Sequence, residues 1–122
     1  MSERRDDREI LEGGWLLSGS GPTGGATRLV FGETELARAY LGLTVGRHPA
    51  LCERILADDS VSRRHFRIGI AEGKLFIEDL NSLNGTFLDD RELAPFQPTL
   101  LRPGQEIQAG RVSLSVSRLD DR

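Results

Sequence analysis

The run SVSRRHF at positions 60–66 puts a hydroxyl (Ser62), two guanidiniums (Arg63, Arg64) and an imidazole (His65) in consecutive places, and an alternating apolar stretch follows directly. Two further clusters have the same character: Gly46-Arg47, and Ser82-Leu83-Asn84-Gly85-Thr86. Each falls where an apolar run gives way to turn residues. A guanidinium offers a planar fork of donors that matches two oxygens of one oxyanion. Hydroxyls and amides add single donors. Together they suit the holding of a doubly charged oxyanion. Taken one at a time, each is as well explained as a solvated loop side chain, so the decision rests on whether the clusters belong together.

Other chemistries fit less well. Ser62 and His65 as nucleophile and base lie three residues apart in one loop, without a strained elbow or an oxyanion motif. His48, Cys52 and His65 do not have zinc spacing. Gly19 and Gly24 have the spacing of a nucleotide-binding loop, but Gly25 stands where Lys is required. Asn84-Gly85-Thr86 matches a glycosylation sequon, yet a tight turn is the simpler reading for a chain that begins with charged residues rather than a secretion signal. No enzymatic activity, metal or cofactor is expected.

The positioning elements are strands. The 122 residues are 38% hydrophobic and 29% charged, enough for one domain with one core. The net charge of −3 argues against a general nucleic-acid surface, though not against a local basic pocket. No apolar run is long enough to span a membrane. A single cysteine, Cys52, fits a reducing compartment, so the cytoplasm is expected. Lys74 is the one lysine among 16 basic residues, an arginine bias in keeping with a GC-rich bacterial genome.

Residues 1–12 are expected to form a disordered charged tail, 13–119 a single domain, and 120–122 a second tail. RLVF (28–31), LTVG (43–46), a brief segment at 54–56, and TFL (86–88) read as short strands. The stretch 18–25 reads as a flexible Gly-rich loop, 33–40 as extended or irregular, and 89–92 as a turn. FRIGIA and KLFIEDL, joined through Glu72-Gly73, read as a hairpin. Two prolines bar 93–101 from a central strand. VSLSVS (112–117) alternates, with Val112, Leu114 and Val116 inward. Many short strands broken by turn residues predict an all-β antiparallel sandwich with its binding loops at one end.

At this point the chain resembles the forkhead-associated (FHA) family. The resemblance is carried by Gly46-Arg47, by SRRH at 62–65, and by DLNSLNGT at 79–86, in order and spacing. It continues through Leu101, Gly104, Ile107 and Gly110 and covers about Trp15 to Leu119. It implies an FHA/SMAD-like sandwich that binds phosphothreonine peptides without catalysis, a mode in which Arg reads the phosphate. By the same resemblance, Arg47 grips the phosphate, Ser62 donates its hydroxyl, Arg63 also reaches the phosphate, and Asn84 bonds the peptide main chain. Gly46, His65, Ser82, Gly85 and Thr86 are supporting positions, with Asp79 tying off turn backbone. Leu83 departs from the pattern: the position often carries Ser or Thr, whose hydroxyl adds a phosphate contact. Arg64 is expected to turn away from Arg63.

The magnitudes favour phosphate over carboxylate. Phosphothreonine carries about −1.5 to −2 charge with three acceptor oxygens. Three charge-assisted hydrogen bonds of about 1.5–3 kcal/mol each give roughly 5–9 kcal/mol gross, against association costs of at least about 4 kcal/mol. Neighbouring peptide residues must supply the remainder. The expected partner is a phosphothreonine-containing protein, a kinase or a kinase substrate; neither nucleic acid nor membrane is expected to bind. The chain is expected to be monomeric unless its own Thr23, in the Gly-rich loop, is phosphorylated and recognised by a second copy. The rival expectation is an interaction module of the same fold that works through a sheet face or edge without phosphate.

Overall fold

A computed structural model describes residues 13–119; the two expected tails lie outside the described residues. Eleven strands and one short helix follow in the order β1 (Gly14–Ser20), β2 (Ala26–Gly32), α1 (Glu33–Arg38), β3 (Leu43–Gly46), β4 (Arg54–Ile55), β5 (Phe66–Ala71), β6 (Lys74–Asp79), β7 (Thr86–Leu88), β8 (Arg91–Glu92), β9 (Thr99–Leu101), β10 (Glu106–Ala109) and β11 (Val112–Leu119). They make two sheets, β2-β1-β11-β10-β7-β8 and β4-β3-β5-β6-β9. All pairings are antiparallel except the two-residue parallel match of β3 with β4. The expected all-β sandwich is therefore the observed architecture.

Alternation builds the layers. Val112, Leu114 and Val116 of β11 are buried while Ser115 and Ser117 face outward, as period two requires. Leu17, Phe31, Val45, Phe66, Ile68, Ile77, Ile107 and Leu114 fill the space between the sheets with essentially no exposure. Fully burying one such side chain contributes about 1.5–3 kcal/mol. The β5–β6 hairpin forms as read. Its turn residues Glu72 and Gly73 have φ of 54° and 76°, the handedness that matches strand twist. The Pro-containing segment leads into β9, which lies at a sheet edge, where a missing amide donor is tolerated.

Four local expectations change. Residues 33–38 are helical rather than extended. Leu36 is buried against the core, and Arg54 pairs with Glu35 from outside, so tertiary contacts hold a helix too short to stand alone. The Gly-rich stretch is strand through Ser20, because Gly19 allows β11 to pass closely: a Cβ there would sit 1.8 Å from the Ser113 carbonyl oxygen. The turn expected over 89–92 is confined to Asp89-Asp90, both with positive φ, and Arg91–Glu92 pairs with β7. The strand expected over 54–56 ends at Ile55, and Leu56 instead buries its side chain.

Candidate functional site

The 60s loop is the hub of one rim. The Arg47 backbone N–H donates to the Ser62 carbonyl at 2.9 Å, and the His65 N–H donates to Val45 O at 2.8 Å, extending the β3–β5 pairing into the loop. These bonds bring the two backbones together at Gly46, where a Cβ would lie 2.1 Å from Arg63 O. Gly46 is thus needed for close approach, not for turning the chain.

The 80s loop docks on the same hub. The Leu83 N–H donates to Ser62 Oγ at 3.0 Å, and Asn84 Nδ2 donates to Ser60 O at 2.8 Å. Beneath them His65 is fully buried; its Nδ1 accepts from the Ser62 N–H at 3.0 Å and its Nε2 faces Gly85 O at 2.8 Å. Those partners require a neutral ring with the proton on Nε2. Burial pushes the imidazole below its ordinary value, opposed by Gly85 O and the Asp79 charge.

Asp79, 2% exposed, ties off the 80s loop. Its Oδ1 accepts from the hydroxyls of Ser82 and Thr86, both at 2.6 Å, and its Oδ2 from the amides of Asn81 and Ser82. Gly85 follows Asn84 with φ of 85°, a conformation that a side chain would strain.

Arg47, Ser62, Arg63 and Asn84 therefore belong to loops in direct contact. Arg47 is exposed, and its Nε–H donates to Val61 O at 2.8 Å. Its two terminal nitrogens have no hydrogen-bond or ion-pair partner among the described residues. Arg63 is likewise exposed and without an acidic partner among them. Ser62 Oγ accepts from Leu83 and keeps its own proton to donate. Guanidinium donors, a hydroxyl and an amide thus share one end of the sandwich, a set able to surround an oxyanion. Arg64, expected to turn away from Arg63, lines the same groove. Strand alternation starts only at Phe66, so it does not govern the two arginines.

Three supports went unread in the sequence. Asp58 accepts from the Ser60 amide at 3.0 Å and from its hydroxyl, contacts that hold its carboxyl below the ordinary range. Ser60 Oγ accepts from the Arg111 N–H at 2.8 Å, which fastens the β10–β11 turn to the hub. An Asp two residues before a Ser is an Asx-turn signal that was available in the sequence. The third is Cys52: its thiol donates to Arg63 O at 2.9 Å, and burial raises its pKa above the ordinary value.

A family model described as the FHA domain matches residues 43–110. The oxoglutarate dehydrogenase inhibitor of Corynebacterium efficiens is 39% identical over 99 residues, covering 81% of this chain and 61% of that protein. The chain thus spans about three fifths of the length of this curated relative. The solution structure of the FHA domain of an Arabidopsis thaliana protein superposes with a TM-score of 0.71 at 29% identity, covering 90% of this chain and 89% of that one. An FHA domain solved in a study of phosphothreonine-dependent interactions gives a TM-score of 0.63 at 26% identity, over 85% and 95% of the two chains.

Proposed function

Because this chain belongs to the FHA domain family, we propose that it is a non-catalytic adaptor that docks a phosphothreonine-containing protein downstream of a Ser/Thr kinase. We take 13–119 as the working domain. The observation that carries the reading is the meeting of Arg47, Ser62, Arg63 and Asn84 on one rim, with donor groups still unsatisfied. In this reading the Arg47 terminal nitrogens take two phosphate oxygens, Ser62 Oγ–H and the Arg63 side chain take the remaining charge, and Asn84 bonds the peptide backbone. The phosphothreonine-dependent interactions of a related solved domain support it, as does the regulatory name of the corynebacterial relative. The partner is a kinase or its substrate, the protein acts as a cytoplasmic monomer, and no nucleic acid takes part. Among the described residues, no helix is long and apolar enough to cross a membrane.

Titration with matched threonine, phosphothreonine and glutamate peptides tests the reading. Binding should require the phosphate, and the glutamate peptide should fail because it carries half the charge in the wrong geometry. Equal binding of all three would transfer the function to the second reading, phosphate-independent docking through a sheet face. One observation favours that alternative: Tyr40 and Leu41 are 95% and 67% exposed beside the β5–β6 sheet.

A further inference from the structure

Beside the anion rim lies a groove of about 890 Å³ that shares Ser62 and Arg63 with it. Its other principal walls are Arg64, Leu51, Leu80 and Phe96. Phe96 has φ of +62° and stands 59% exposed. A bulky residue in the left-handed region is disfavoured, and such strain persists only where the surroundings enforce it. Here they do: the Phe96 N–H donates to Asp79 O at 2.8 Å, and Pro95 bridges to Asp79. The loop that carries the ring is thus anchored to the same aspartate that ties off the 80s loop. Burial cannot be what keeps the ring there.

The charge around it is one-sided. Arg67, at the margin, is paired with Glu78 at 3.0 Å. Arg63 and Arg64 are exposed and have no acidic partner among the described residues. An apolar floor under two unpaired guanidiniums complements a segment bearing a carboxylate next to an aliphatic side chain. We propose that this groove seats the phosphopeptide to one side of its phosphothreonine, pairing an acidic residue with Arg64 and packing an apolar neighbour on Phe96, Leu80 and Leu51. This rests on the phosphothreonine reading above and adds to it the sequence preference of the partner.

The test is fluorescence anisotropy with a phosphothreonine peptide whose alanine flanks are changed one position at a time to Glu, Lys or Leu. Glu should bind about tenfold more tightly than Lys at positions on one side only, the ratio that about 1.4 kcal/mol produces. Arg64→Glu should reverse that preference. Phe96→Gly, which the backbone accepts at positive φ, should remove the Leu advantage and leave the Glu–Lys contrast. Equal affinities for all flanks, or an Arg64→Glu protein that still prefers Glu, would overturn the groove assignment while leaving phosphate recognition standing. Failure of every phosphorylated peptide to exceed its plain counterpart would sink the phosphothreonine reading itself, and the groove assignment with it.

Discussion

Ser62 Oγ accepts the backbone N–H of Leu83 at 3.0 Å. That bond occupies a lone pair and leaves the hydroxyl hydrogen for an incoming acceptor. Ser62→Ala removes this donor and also the partner of the Leu83 amide. A charge-assisted hydrogen bond of about 1.5–3 kcal/mol corresponds to about 10- to 150-fold weaker phosphopeptide binding. Calorimetric titration checks this, and an unchanged dissociation constant would exclude Ser62 from the site.

The Leu83 side chain is 90% exposed, so its replacement disturbs no packing. Leu83→Thr adds a hydroxyl at the rim. Affinity for the phosphopeptide should rise several-fold, while the melting temperature should stay within the small range typical of surface changes. A stability change without an affinity change would contradict this.

His65 gives a pH dependence of defined sign. Burial holds its folded pKa below the ordinary value of 6.5, so as pH falls the unfolded chain takes up the proton first. The stabilising contribution is complete above about 6.5 and is lost as pH drops from there toward the depressed folded value. Protonation also turns Nδ1 into a donor facing the Ser62 N–H, which is itself a donor. Thermal unfolding of the peptide-free protein from pH 8 to 5 should show this loss, and His65→Gln should reduce the slope. Working without peptide keeps the phosphate's own second ionisation, near pH 6, out of the measurement.

Asp79→Ala strands two amides and two hydroxyls that now share its carboxylate. Leaving a buried group unsatisfied costs about 1–3 kcal/mol. The midpoint of denaturant unfolding should fall accordingly, and amide exchange should quicken first at residues 80–85. An unchanged midpoint would show that the loop is held otherwise.

Gly46→Ala forces the 60s loop away from β3, since the new methyl meets Arg63 O, Arg63 C and Arg64 Cα, all within 3 Å. Backbone cannot yield as the end of a flexible side chain does. Phosphopeptide binding should drop at least about tenfold, and the amide signals of Arg47, Arg63 and Arg64 should shift together in NMR spectra. Wild-type binding with unmoved signals would refute the close-approach argument.

The parts of the fold legible in the sequence are those set by local chemistry. The β5–β6 hairpin announced itself by alternation and a Glu-Gly turn, and β11 by its serines. The helix at 33–38 escaped because Leu36 and the Arg54–Glu35 pair, rather than any repeat, hold it. Residues 18–20 read as loop rather than as the end of β1, because Gly19 resembles a linker until Ser113 is seen against it. At the rim, side chains of evident donor chemistry were readable from the motifs. Cys52 and Arg111 were not, because their contribution is made through backbone contacts between distant segments, whereas the local Asp58–Ser60 turn carried a signal that the sequence did offer. The shared groove of Arg63 and Arg64 was also hidden, because a loop has no period to extrapolate.

Hydrogen bonds join all three loops: Arg47 to Ser62, Asn84 to Ser60, Leu83 to Ser62, and His65 to Ser62 and Gly85. An incoming peptide therefore meets a preorganised receptor and need not wait for it to rearrange. Its capture should proceed at the ordinary encounter speed of about 10⁵–10⁷ M⁻¹s⁻¹. Differences between strong and weak partners should then appear as how long each one stays.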